Sequence, residues 1–230
     1  MKIIKNEKAI ARNAKIGGIV TILSLATLGG GMYITFTKPE LLYISIVALL
    51  AGFILSQIGI YYTNRWGRKP RPDELIDQAL KGLDDHYALY HYQTPAAHVL
   101  VGPAGIWTFI PKHQRGTITY SKNRWRQKGG GLMQGYLRMF AQEGIGRPDL
   151  EVESDLERLG RYIQKKLPGV ALPPIQSALV FFHPEVDLQA DDAPVPALFG
   201  KKLKDFIRKA AKEKSTSSEI IEKVQEVLEK

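Results

Sequence analysis

AAHVLVGPAGIWTFIPKHQRG, residues 96–116, is the stretch on which the reading of the fold turns. Valine, isoleucine and aromatic residues gather in two apolar runs, 97–101 and 106–110. β-Branched and ring side chains of this kind favour strands. Gly102-Pro103-Ala104-Gly105 between the runs supplies turn residues. The segment therefore predicts two strands joined by a tight turn, with a lone lysine, Lys112, just past the second.

Upstream, residues 16–37 and 41–64 contain no Asp, Glu, Lys or Arg. Each run exceeds the ~20 residues that cross a bilayer core about 30 Å thick. Soluble domains rarely bury two such runs in succession, and a signal peptide has one shorter run. Lys38-Pro39-Glu40 leaves room only for a hairpin turn. Lys2, Lys5, Lys8, Arg12 and Lys15 precede the first run, and Arg65, Arg68, Lys69 and Arg71 follow the second. The positive-inside rule then predicts a multi-pass protein of the cell (inner) membrane, both termini cytoplasmic. The short tethers suit a bacterial inner membrane. Tyr61, Tyr62 and Trp66 sit where amphipathic rings favour the headgroup level. Ser45, Ala48, Gly52, Ser56 and Gly59 form a small-residue stripe, which predicts close packing within the hairpin, or a homo-oligomer through the same stripe.

Downstream, Arg68-Lys69-Pro70-Arg71-Pro72 reads as an extended linker. Pro72-Asp73-Glu74 opens a helix whose apolar face is Leu75, Ile76, Ala79, Leu80 and Leu83. Strands are expected at 87–92, 97–101, 106–110 and 117–120. A glycine-rich loop at 129–131 then leads to a Leu/Met/Phe segment at 136–140. A helix follows at 148–167, then a buried strand at 178–182 (ALVFF), a weaker strand at 195–199 and a basic helix from Lys201. This order is that of an α/β domain with a mixed sheet flanked by helices. The expected organisation is a basic cytosolic N-terminus (1–15), a transmembrane helical hairpin (16–64), a basic juxtamembrane linker (65–71), an α/β domain (72–208) and a C-terminal helical tail (209–230).

Residues 96–116 resemble the core of the nuclease-related domain (NERD) family, whose pattern there is roughly I-D-H-φ-φ-V-G-P-x-G-φ-φ-φ-I-E-x-K-x-x-x-G. His98, Val101, Gly102, Pro103, Gly105, Lys112 and Gly116 match it. The resemblance covers about residues 72–208 and implies a restriction-endonuclease-like fold. It also implies a nuclease site, in which the acids of I-D-H and E-x-K hold a divalent metal beside the lysine. Those acidic positions are Ala97 and Ile110 here, and neither side chain can bind a metal. Mg²⁺ requires oxygen ligands, and it is Mg²⁺ that would activate water and neutralise phosphate charge. The family scaffold is thus expected without its metal and without a cofactor.

No Asp or Glu occurs between His86 and Gln142. A rewired, Mg-dependent nuclease would have to recruit Glu74, Asp84 or Asp85 to Lys112. Glu74 and His98 are, with Lys112, the candidate remnants of catalysis. His86, His91, His98 and His113 show no zinc-ligand spacing and read as four ordinary histidines. Lys112 reads equally as a solvated strand-end lysine or as a retained active-site lysine turned to anion contact.

The chain has 230 residues, a formal charge of +9 and no cysteine. It favours anionic partners and has no disulfide or Cys-ligated zinc. Lys112, Arg115, Lys122, Arg124, Arg126 and Lys128 form an uncompensated basic run that continues to Arg138 and is punctuated by Tyr120, Trp125 and Tyr136. Such a run suits phosphates with a ring for stacking, an anionic leaflet or an acidic protein partner. The tether favours the lipid. Residues 201–214 place Leu203, Phe206, Ile207, Ala210 and Ala211 on one helical face, which either lies in a membrane interface or packs on the sheet. Thr216-Ser-Ser-Glu219 is a capping box before a last helix. The sequence thus predicts a membrane-anchored, non-catalytic binding or scaffolding module. The alternatives are the rewired nuclease and a purely structural membrane protein.

Overall fold

The computed structural model describes residues 1–129, 135 and 144–229. The segment read at 136–140, with Tyr136 and Arg138, lies outside the described residues. The chain divides into a helical hairpin and an α/β unit, and the α/β unit takes in Met1–Asn6 as well as the described residues of 73–129 and 144–229.

The hairpin consists of α1 (Glu7–Thr37) and α2 (Leu42–Tyr62), joined through a short turn at Pro39–Leu41. At 31 residues, α1 is about 46 Å long at 1.5 Å per residue. It outruns a bilayer core by several turns, and its charged beginning, with Lys8, Arg12 and Lys15, supplies the excess. In the apolar part, Gly17, Ser24 and Gly31 of α1 are buried, as are Ser45, Gly52 and Gly59 of α2. Positions seven apart share one stripe, so each helix offers a seam of small residues to the other. A Cβ at Gly52 would stand 2.7 Å from Leu28 Cγ, and Ser45 Oγ donates to the Gly31 carbonyl at 2.7 Å. Ser45, Gly52 and Gly59 of the stripe are thus packed within the hairpin, whereas Ala48 and Ser56 are only half-buried. Away from the seam the large side chains are bare: Ile22, Leu25, Phe36, Val47, Leu50 and Ile54 are all exposed. Both helices are long and apolar enough to cross a membrane, and apolar surface on this scale seeks lipid.

The α/β unit is built on a six-stranded mixed sheet. In chain order its strands are β1 (Lys2–Lys5), β2 (Ala88–His91), β3 (His98–Gly102), β4 (Gly105–Lys112), β7 (Ile175–Phe181) and β9 (Ala197–Phe199), and this is also their order in space. β1 runs parallel to β2, β2 to β4 form an antiparallel meander, and β7 and β9 continue parallel to β4. The β3–β4 turn needs its glycines. Gly105 has φ +95°, and a Cβ at Gly102 would lie 2.2 Å from the Tyr87 ring.

Alternation along the strands divides the core into two faces. Leu89, Leu100, Trp107 and Phe109 point to one face and pack under α3 (Pro72–Leu80) and α5 (Leu203–Glu213) through Ile76, Leu80, Leu203 and Ile207. Ala88, Tyr90, Val99, Val101 and Ile106 point to the other, under α4 (Pro148–Lys166) and α6 (Ser218–Glu229). A second sheet, with β5 (Gly116–Ser121) between β6 (Arg124–Lys128) and β8 (Val186–Gln189), closes over the end of this second face.

Three boundaries expected from the sequence are corrected. The basic N-terminal segment 1–15 is itself structured: Lys2–Lys5 is an edge strand, and the helix that continues into the first apolar run begins at Glu7. Helical structure continues through Thr63–Gly67, so the linker within 65–71 shortens to residues 68–71. The tail at 209–230 belongs to the domain: Ile221, Val224 and Leu228 of α6 are buried on the sheet. The apolar face of the basic helix is likewise spent on the sheet, since Leu203 and Ile207 are wholly buried there.

Candidate functional site

The register of β3 and β4 sets the two positions at which the sequence resemblance expects acids side by side. Val99 pairs with Thr108, and continuing the antiparallel register by two places sets Ala97 opposite Ile110. Lys112, two residues on, shares that face because strand side chains alternate. Ala97 and Ile110 are both apolar. Ile110 is buried in a cluster with Ile118, Val152, Leu179, Phe181 and Val186. A carboxylate there would face hydrocarbon. Among the described residues no group of three or more His, Cys, Asp or Glu side chains is placed to hold a metal ion.

Lys112 is neither solvated nor available to a ligand. It is buried, and its Nζ donates to Glu151 Oε1 and Oε2 at 2.8 and 2.9 Å and lies 3.4 Å from the Ile145 carbonyl. The partner acid comes from the first turn of α4. This corrects the placing of Lys112 in the anion-binding run. The acids considered for a rewired site are elsewhere. Glu74 sits on α3, which covers the opposite face of the sheet. Asp85 is exposed and pairs with the N-terminal ammonium at 2.7 Å, whose hydrogen bond holds its carboxyl below the usual range. Asp84 accepts from the His86 backbone N–H at 3.0 Å. Glu74, His98 and Lys112 are therefore not brought together.

A structural role for Lys112 has a measurable signature. Lys112→Met should leave stability within about 1 kcal/mol, because an apolar isostere relieves the burial of charge. Glu151→Ala should cost roughly 1–3 kcal/mol, below the figure for a fully buried pair because water reaches Glu151. Thermal unfolding of the full chain in detergent reads both, and a Lys112→Met loss exceeding that of Glu151→Ala would contradict the assignment.

The face under α3 holds a second polar group that sequence reading missed. Lys5, His91 and His98 form one row across β1, β2 and β3. His91 and His98 are buried, and their Nδ1 atoms lie 2.7 Å apart. His91 Nε2 is 2.9 Å from Asp77 Oδ1, and Asp77 also pairs with Lys5. Lys5 Nζ donates to Asp73 Oδ2 at 2.9 Å, and Asp73 is fully buried. Burial alone would lower the Lys5 ammonium, but its hydrogen bonds to Asp77 and Asp73 hold it above the ordinary lysine value. Asp73 and Asp77 are one helical turn apart on α3, which is the spacing that lets both reach the row. The odd separation of His91 and His98 gave no warning, because a hairpin register rather than spacing within one strand brings them together. His91 and His98 are thus in contact with each other. Two imidazole nitrogens on one zinc, each at 2.0–2.1 Å, stand roughly 3.3 Å apart in tetrahedral geometry, so the contact is a hydrogen bond rather than an empty metal clamp.

The exposed cations are gathered on the second sheet. Lys122 and Asn123, both with φ above +50°, form the two-residue turn between β5 and β6. Two positive-φ residues are what a twisted hairpin requires, and Asn123 was the sequence signal for it. Arg124, Arg126 and Lys128 then alternate on one exposed face of β6, opposite Ser121, Thr119 and Thr117 of β5. Same-face residues on a strand lie about 6.7 Å apart. Trp125 points the other way and packs against the Ile110 cluster, with its ring centroid 5.2 Å from that of Tyr120. The indole is thus on the opposite face from the guanidinium groups that flank it. Arg115 and Lys122 are exposed nearby, and none of these five cations pairs with a carboxylate among the described residues.

Compared with known proteins, the chain matches no family model, no curated protein and no solved structure.

Proposed function

We propose that this membrane-associated chain is a non-catalytic module that docks the basic face of its β5–β6 hairpin on anionic lipid headgroups of the bilayer to which it is tethered. The observation that carries the reading is the ladder of Arg124, Arg126 and Lys128 beside β5 hydroxyls. Hydroxyls and cations are donors for phosphate oxygens. With Trp125 turned inward, the face presents no ring among the described residues on which a base could stack, which favours headgroups over single-stranded nucleic acid.

The resemblance to the nuclease-related domain supports the non-catalytic part: its two acidic positions fall on Ala97 and on Ile110, a core residue. Topology has a separate support. β1 precedes α1 and pairs with β2, which follows α2, so the segments flanking the hairpin share one sheet and one side of the membrane. The cations flanking the hairpin favour the cytoplasmic side of a cell membrane.

The chain has no cysteine, so Ser121→Cys in the full protein accepts a single fluorescent probe. In proteoliposomes containing quencher lipid, quenching is expected with anionic but not neutral lipid, and should fade as salt shortens the Debye length. Equal quenching in both lipids would reject headgroup docking, and release by added DNA would reassign the face to nucleic acid. DNA and RNA incubated with the protein and Mg²⁺ or Mn²⁺ should stay intact. Cleavage abolished by Lys112→Ala would overturn the non-catalytic reading.

A further inference from the structure

We propose that Asp77, His91 and His98 form a buried one-proton site that fastens β1 to α3, the two segments that adjoin the spanning helices, and that opens on acidification. The argument starts from hydrogen-bond direction. The carboxylate of Asp77 accepts, so His91 Nε2, 2.9 Å away, carries the proton it donates. Neutral His91 then presents a lone pair at Nδ1, and His98 Nδ1 donates into it across 2.7 Å. The Asp77 contact fixes the tautomer of His91, and that tautomer sets the direction of the His91–His98 bond. A proton on His91 Nδ1 would meet the N–H of His98 head-on, so the contact accommodates one proton and not two.

The consequence is local. His91 is the last residue of β2, its carbonyl accepts from Asn6 N–H at 3.0 Å, and its strand partner is Lys5. Loss of the His91–His98 bond loosens the row that holds Lys5, and Asn6 is one residue from the start of α1. Asp73 and Asp77 lie within the first turns of α3, directly after the chain leaves the hairpin. The site thus sits on the two segments through which the hairpin enters the domain. The groups around it are Lys5 from β1, Asp73 and Asp77 from α3 with Arg71 and Glu74 beside Asp73 in sequence, and the Tyr92 ring, 5.0 Å from that of His98. The next place along the row on β4, by the same register, is Phe109, which is apolar.

The sign of the pH dependence follows from proton counting. With the row open, nothing bars each imidazole from taking up its own proton on acidification. Closed, the contact excludes the second. The open form therefore binds more protons, and closure weakens as pH falls, by about tenfold per pH unit for one proton.

The test uses the full chain in nanodiscs and hydrogen exchange of residues 2–5 and 88–91, corrected for the intrinsic pH dependence of exchange. Protection should fall on acidification, by up to about tenfold per unit. His98→Gln, whose amide N–H can still donate to His91 Nδ1 but does not titrate, should flatten the slope while keeping the strand protected at neutral pH. Nitrogen-15 spectra of the wild-type histidines give a second readout that does not depend on the variant folding: one shared proton at the Nδ1 pair. A flat wild-type profile, an undiminished slope in His98→Gln, or both imidazoles fully protonated with residues 2–5 still protected would each overturn the proposal.

Discussion

A fragment of residues 72–230 is expected to be unfolded or aggregated, whereas the same fragment with residues 1–6 joined to it through a flexible linker folds. The two differ only in β1. Without it, β2 loses its parallel partner along the whole register from Lys2↔Ala88 to Lys5↔His91. All four residues of β2 are buried, so the bare edge is a template for pairing with other chains. The larger effect is electrostatic. Asp73 is wholly buried, and Lys5 is an ammonium paired with both it and Asp77. Removing one partner of a buried ion pair costs roughly 3–5 kcal/mol. A domain of this size is typically stable by about 5–15 kcal/mol, so loss of the strand and of its cation together removes most of the margin. Circular dichroism and gel filtration distinguish the outcomes, and a fragment 72–230 as stable and monodisperse as the fused form would refute the prediction. Any soluble version of this domain should therefore retain residues 1–6.

Replacing Arg124, Arg126 and Lys128 together by Gln is expected to lower the ratio of docked to undocked protein on an anionic bilayer by roughly 100- to 200-fold. Each Lys or Arg near such a surface contributes about 1 kcal/mol, and three together about 3 kcal/mol. Stability should hardly change, because these side chains are exposed and surface substitutions away from specific contacts usually stay within about 0.5 kcal/mol. The Ser121→Cys probe measures docking in the full chain, and unfolding of the same preparation verifies the fold. Lys112→Met is the matched control, since it removes a cation of the same sequence run whose ammonium is occupied by Glu151. A triple variant that docks like the wild type would reject the headgroup reading. A loss of about fivefold with Lys112→Met, the share of one charge in three, would mean that net charge alone is being sensed.

Much of the architecture was legible before any coordinates. The helices from Pro148 and Ser218, and the strands around Leu100, Phe109 and Leu179, were readable because their apolar periods of 3.6 and 2 are long enough to register. β6 and β8 were not readable: Arg124–Lys128 and Val186–Gln189 are short and largely polar, and only pairing with β5 makes them strands. The candidate site divides in the same way. The absence of acids at positions 97 and 110 was visible as residue identity, but the burial of Ile110 in a second cluster was not.

By itself the sequence determined two uncharged runs long enough to span a bilayer, the α/β order of the rest, and the absence of carboxylates where the resembling family places them. Those are properties of composition and local period. The tertiary structure alone decided that Lys2–Lys5 closes a sheet begun more than eighty residues later, that Lys112 is paired with Glu151, that His91 meets His98, and that Trp125 faces away from its flanking arginines. Each of these depends on which strand lies beside which and in what register. A register is set by the packing of both faces of a sheet against its helices, and no short stretch of chain encodes that sum.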